Sequence, residues 1–139
     1  MTRKQVEVKT LVRAPLKHVW TCWVTPKHVI GWNFASDDWH TPKANNELRV
    51  GGRFVYTMAA KDGSFSFDFS GTFIEITEHK KIITRLDDDR MVVVEFEDLG
   101  REVSVVETFE IEDENSEELQ RQGWQAILDN FKKYSESIR

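Results

Sequence analysis

Ser64–Ile76 reads SFSFDFSGTFIEI, which sets Phe65, Phe67, Phe69, Gly71, Phe73 and Glu75 on one side of an extended chain. Ser66, Asp68, Ser70, Thr72, Ile74 and Ile76 fall on the other. The repeat is two residues, the period of a β-strand, and nothing in it recurs at helical spacing. One side is a ladder of phenylalanine and the other is mostly polar, as in an antiparallel strand with one covered face. The length of the alternation predicts a long central strand around which the rest of the chain is organised.

Working outward, Lys61-Asp62-Gly63 has hairpin-turn chemistry, and the segment before it, RFVYTMAA, places Phe54, Tyr56 and Met58 on one face and Val55, Thr57 and Ala59 on the other. The Gly51-Gly52 pair that precedes it reads as a bulge at strand entry. Downstream, strands are predicted near Lys81–Leu86, Met91–Glu97 and Glu102–Ile111, separated by the turns DDDR and DLGR. In the first of these, Ile83 and Arg85 or Ile82, Thr84 and Leu86 can face inward, and the pattern leaves both registers open. Gln5–Val12 alternates as a first strand. Pro15 then suits the first turn of a helix whose stripe is Leu16, Val19, Trp20 and Trp23, ending at Thr25-Pro26. A second short helix is predicted from Pro26 to about Trp32.

Between these helices and the sheet lies Trp32–Phe54, WNFASDDWHTPKANNELRVGGRF, which mixes aromatics, acids and a histidine with no regular period. It reads as a shaped loop feeding a strand. At the C-terminal end, Asn115 with Glu118 three residues on predicts a helix start, and Leu119 opens a helix to about Tyr134 whose inward stripe is Leu119 or Gln120, then Trp124, Ile127, Leu128 and Phe131. Gly123 in mid-helix costs about 1 kcal/mol relative to alanine, and is expected to be a packing glycine where the helix approaches the sheet. The order is one strand, two short helices, five strands and one long helix, with no repeat or linker: an α+β domain spanning 1–139 with about six antiparallel strands.

The chain has 139 residues, enough for a real core and a cavity. Aromatics reach 12%, with five Trp and nine Phe. That surplus of rings can line a pocket for an apolar ligand or fill a curved sheet. A net charge of −5 argues against nucleic acid, whose binding needs a clustered excess of Lys and Arg. One cysteine, Cys22, allows no internal disulfide, and MTRKQVEVKT lacks the apolar run of a signal peptide. No stretch has the ~20 apolar residues of a membrane span. A cytoplasmic protein without stable membrane insertion is expected.

The chemistry-bearing residues are few. Parity directs Glu75 and Glu107 inward, where a carboxylate is costly unless paired, so they read either as a polar anchor or acid inside an apolar pocket or as ends of a structural ion pair. Asp37, Asp38 and His40 surround Trp39 and read either as turn and capping residues or as functional groups on a loop. His18 and Cys22 stand four apart on the first helix, but a Cys-His nucleophile needs an orienting third group and an oxyanion site. The histidines have no ligand-spaced partners, so no metal is expected. No phosphate-binding glycine loop is present, and no cofactor is expected.

Arg13-Ala14-Pro15, Val19-Trp20, Thr25-Pro26, Trp32, Gly51-Gly52-Arg53-Phe54, Asp62-Gly63, Gly71-Thr72, Glu107-Thr108-Phe109 and Gly123-Trp124 occur in an order and spacing that resembles the START-like, or SRPBCC, superfamily. Within it the chain resembles the family named for the C-terminal domain of the activator of heat-shock-protein-ninety ATPase. The resemblance implies a helix-grip fold, a curved antiparallel sheet around a long C-terminal helix, with an apolar cavity between them. Wall residues expected from parity and helix stripe are Phe54, Tyr56, Met58, Phe65, Phe67, Phe69, Trp124, Leu128 and Phe131, with Trp20 and Trp32 from the short helices. Phe34, Trp39 and His40 are expected at the rim, and Glu75 and Glu107 as inward acids. The co-chaperone that names the family carries a separate N-terminal chaperone-binding domain, to which this resemblance does not extend. The leading expectation is therefore non-catalytic binding of a small hydrophobic or aromatic molecule, lipid-like or polyketide-like. The alternatives are a cyclase or hydrolase acting on such a molecule and a chaperone-linked interaction module.

Overall fold

The computed structural model describes residues 3–138. Strand β1 (Gln5–Val12) is followed by helices α1 (Leu16–Val24) and α2 (Pro26–Val29). Then come β2 (Trp39–Asn46), β3 (Arg53–Ala60), β4 (Ser66–Thr77), β5 (Lys81–Leu86), β6 (Met91–Asp98), β7 (Val103–Glu110) and the long helix α3 (Glu117–Ser137). All strands join one sheet of order β1-β7-β6-β5-β4-β3-β2, every pairing antiparallel. The predicted α+β helix-grip architecture is present, with the aromatic strand β4 in the interior of the sheet between β3 and β5.

The sheet has seven strands rather than about six, because half of the segment read as a loop pairs with β3. Trp39 sits opposite Ala60 and Asn46 opposite Phe54, with a register shift between His40 and Lys43. Pro42 falls at that irregularity, and β2 is an edge strand, the position where a residue lacking an N–H is tolerated. A second register shift, between Phe73 and Glu75, changes the parity of β4. Beyond it Ile76 packs on the core, while Glu75 faces solvent, 3.9 Å from Lys81. A bulge inserts one residue and reverses which side chains face inward, so the expectation of an inward Glu75 fails there.

Helix α3 starts one residue later than the capping pattern suggests. Ser116, not Asn115, is the N-cap, its Oγ accepting from the Leu119 N–H at 3.1 Å, and Glu117 and Glu118 place negative charge at the positive end of the helix. The core lies between this helix, α1 and the inner face of β1, β6 and β7, with Val12, Val19, Val105, Phe109, Leu128 and Phe131 inaccessible to solvent. Burying each such side chain contributes about 1.5–3 kcal/mol.

Candidate ligand cavity

Helix α3 lies along one edge of the sheet. Gln125 Nε2 donates to the Lys9 carbonyl at 3.1 Å, Lys132 Nζ donates to the Leu11 carbonyl at 2.7 Å, and the Arg13 N–H donates to the Glu136 carboxylate at 2.8 Å. These bonds hold the helix to β1 and its C-terminal flank. Midway, the Trp124 indole stacks on Phe109 of β7 and meets Phe69 of β4 edge-on at 5.9 Å. Between the helix and β3–β6 the curled sheet leaves a cavity of about 370 Å³. Its volume lies in the range of small-molecule sites, and its lining is mainly apolar.

Ring side chains form much of the wall. Tyr56 is fixed by Asn46, whose Nδ2 lies 3.0 Å from the phenol oxygen and donates to the Val24 carbonyl at 2.8 Å. Burial raises the phenol pKa, so Tyr56 presents a neutral ring. Trp32 is fixed by its indole N–H, which donates to the Cys22 carbonyl at 3.0 Å, and stacks on Trp23 with centroids 4.9 Å apart. A Cβ at Gly71 would come within 2.5 Å of the Arg85 carbonyl on β5 and press on the Phe54 ring at 3.0 Å, so the glycine in the phenylalanine ladder makes room for the backbone of one neighbouring strand and the aromatic of the other. Near the helix start, Gln120 accepts from the Glu112 N–H at 2.9 Å and donates to the Asn115 carbonyl at 2.9 Å, bracing the connection between β7 and α3.

One acid faces this surface. Glu107 is 8% exposed, and its same-face neighbours across the strands are Val8 and Val94, with Val105 and Phe109 on its own strand. Among the described residues it has no hydrogen-bond or ion-pair partner. Loss of hydration disfavours the ionised form and pushes its pKa up to about 8 from the ordinary 4.5, so at neutral pH the group is mostly protonated. Asn33, also lining the cavity, has a buried Nδ2 with no partner among the described residues.

Of the residues expected in the site, Trp32, Phe54, Tyr56, Met58, Phe67, Phe69, Glu107 and Trp124 line this one cavity. Others fall elsewhere. Trp20 is buried against Phe96 and His79 and does not line the cavity. Leu128 and Phe131 are wholly enclosed in the core, Phe131 packing edge-on against Trp23 and Trp32. Helical periodicity correctly turned them inward, but where α3 sits on β1 the inside is filled. Phe65 is 53% exposed beyond the opening, where it and Phe67 contact Trp39 at 6.1 Å. Trp39 and His40 belong to edge strand β2, and Phe34 is held at the surface by Asn130 donating to its carbonyl at 2.9 Å. Glu75 is outward, for the reason given above.

Several lining residues were not placed in the site from sequence, among them Trp23, Ile82, Thr84, Arg90, Val92 and Val94, while of the two candidates for the start of the helix stripe it is Gln120, not Leu119, that faces inward. Parity held the signal for most of them: β5 turns Ile82, Thr84 and Leu86 inward and Arg85 outward, and β6 turns Val92 and Val94 inward. Gly123 also lines the cavity, and a Cβ there would meet nothing within 4 Å. The helix does not touch the sheet at this position; the glycine adds open space instead.

The His18–Cys22 pair has no nucleophile geometry. His18 Nε2 donates to the Ser135 carbonyl at 2.8 Å, and the same nitrogen is the one 3.6 Å from Cys22 Sγ, so it cannot accept the thiol proton. Burial pushes the Cys22 thiol up to about 11. Among the described residues no group of three or more His, Cys, Asp or Glu is arranged to hold a metal ion, and no helix is long and apolar enough to cross a membrane.

The profile of the family described as Activator of Hsp90 ATPase homolog 1-like protein matches residues 13–136. The AHSA1-like protein from Aeromonas hydrophila, solved in solution by NMR, is 40% identical, with 96% of this chain and 93% of that chain covered and a TM-score of 0.91. A protein from Cytophaga hutchinsonii is 44% identical, covering 97% of this chain and 92% of that chain, with a TM-score of 0.80. A protein from Nitrosomonas europaea shares the fold at 18% identity, covering 96% and 94% with a TM-score of 0.81. No match is found among curated proteins.

Proposed function

The chain belongs to the AHSA1-like family, and from that premise we propose that it is a non-catalytic binder of a small hydrophobic, ring-containing molecule held between α3 and the concave face of β3–β6. The observation that carries this reading is the cavity itself: about 370 Å³ of space walled by Trp23, Trp32, Phe54, Tyr56, Phe69 and Trp124, in a protein of only 139 residues. A small domain gains stability by filling its interior, since unfilled volume forfeits dispersion contacts. A void of this size, kept open by a glycine in mid-helix that costs helix stability, is consistent with selection for occupancy rather than packing.

Binding would follow from apolar burial at about 25 cal/mol per Å² of surface removed from water, opposed by the loss of ligand freedom. Ring faces and edges favour planar molecules, which stack on Trp124 or Trp32 at little conformational cost. A screen of lipids, sterols, aromatic metabolites and polyketides by amide chemical-shift perturbation tests the reading. Shifts clustered on β3, β4, β6 and the first half of α3 support it; a set of such compounds that moves none of these segments overturns it.

An enzymatic reading has one observation in its favour, the protonated Glu107 in a water-poor pocket, which has the character of a general acid. Turnover of a cavity ligand that is abolished in Glu107→Gln while binding persists would establish it over the binder.

A further inference from the structure

The unpaired acid of the cavity selects the kind of molecule it takes, and this inference rests on the binding role proposed above. We propose that the ligand is an aromatic or polycyclic molecule carrying one basic nitrogen, which Glu107 receives as an ion pair among the rings of the wall.

The charge inventory of the cavity supports this. Its charged lining residues are Glu107, Glu112 and Arg90. Arg90 is engaged, its Nε donating to Asp88 at 2.8 Å, and lies in the field of Glu112. The Glu112 carboxylate accepts from the N–H groups of Asn115 at 2.8 Å and Glu114 at 3.2 Å. Among the described residues Glu107 alone of these three has no partner, and no lysine lines the space, so the cavity holds one uncompensated acid. A buried acid without a partner is costly, and the protein leaves that cost in place where the side chain borders open volume. An amine that enters as the free base takes the Glu107 proton onto its nitrogen, and the resulting carboxylate and ammonium are joined by a charge-assisted hydrogen bond in a low-dielectric setting. The wall adds to this, because the faces of Trp32, Tyr56 and Trp124 attract a cation through their ring quadrupoles. An anionic ligand loses its own hydration and forms no ion pair with Glu107, and a neutral one gains only a hydrogen bond from the acid.

The test uses a matched set on one ring system: naphthylmethylamine, naphthalenemethanol and naphthoic acid, titrated by NMR and tryptophan fluorescence against wild type, Glu107→Gln and Glu75→Gln. Glutamine keeps the shape and removes the charge, and Glu75→Gln removes the same charge from the outer surface, controlling for the attraction of an acidic protein for any cation. Wild type is expected to bind the amine about tenfold more tightly than the alcohol, with the acid weakest. Glu107→Gln should lose that preference while still binding the alcohol, and Glu75→Gln should retain it. Equal binding of amine and alcohol by wild type, or an unchanged preference in Glu107→Gln, overturns the proposal and leaves the binding role standing. Failure of all three compounds to perturb the cavity residues counts against both.

Discussion

The indole of Trp124 lies flat on the ring of Phe109, with centroids 4.1 Å apart and planes 8° from parallel. This stack is where α3 meets β7, the strand next to the β1 edge, and it sits two residues along β7 from Glu107. Trp124 lines the cavity and its contact with Phe109 pins the helix, so one residue serves both structure and site. Trp124→Ala is expected to cost about 2–4 kcal/mol, somewhat below a fully buried tryptophan because the ring is only partly enclosed. Trp124→Phe, which keeps a ring on Phe109, should cost less than half as much. Urea unfolding of the two variants checks the ordering.

Glu107 gives stability a pH dependence of known sign. Its folded pKa is about 8 against an ordinary 4.5, so between those values the folded protein holds a proton that the unfolded chain has released. Folding then takes up a proton, and the contribution of this group falls as pH rises through the window, by up to about 1.4 kcal/mol per pH unit. His28, whose pKa burial lowers, acts in the opposite direction near its own titration. The difference between wild type and Glu107→Gln isolates the acid. Glu107→Gln should be near neutral at pH 5 and increasingly stabilising toward pH 8, in chemical denaturation at each pH. A difference that is flat with pH would mean the carboxyl is ionised and solvated.

Gly123 separates filled from unfilled space. With nothing within 4 Å of a Cβ there, Gly123→Ala should stabilise the helix by about 0.5–1 kcal/mol. Gly123→Leu should leave the melting temperature unchanged or raised, since its side chain enters open volume. A marked drop in melting temperature for the leucine variant would show that helix and sheet are in contact at this point.

Trp39 supports the opening without belonging to the core. It touches Phe65 and Phe67, and of these Phe67 lines the cavity. Trp39→Ala should cost about 1 kcal/mol, against the ~3–5 kcal/mol of a core tryptophan, and should speed ligand exchange by loosening Phe67. Unfolding and exchange line-broadening on the same variant distinguish the two; a loss in the core range would remove Trp39 from the rim.

What could be read in advance followed regular periods. The phenylalanine ladder, the inward triplet Phe54, Tyr56 and Met58, and the stripe through Trp124 were legible because strand and helix geometry fix which side chains share a face. Three features broke that regularity. The bulge before Glu75 reversed parity without a glycine or proline to announce it. Strand β2 carries Pro42 and mostly polar residues, and it is recruited by pairing with β3 rather than by its own propensity. Leu128 and Phe131 share the helix stripe of Trp124 but lie farther along α3, and only the bonds from Gln125 and Lys132 to β1 decide that this part of the stripe is packed and the earlier part faces space. A face can be read from sequence; whether that face meets a neighbour or a void depends on how the elements tilt.

The claim that the interior is a ligand site is tested most directly by titrating one cavity ligand from the screen into wild type and Gly123→Leu while following backbone amides. In wild type, Tyr56, Phe69, Val92 and Trp124 should shift together with a single affinity, and in Gly123→Leu, folded as judged by its spectrum, those shifts should disappear. Shifts that persist unchanged in the leucine variant, or that map to Ser66, Asp68 and Ser70 on the outer face of β4, would place the ligand outside the cavity and contradict the account.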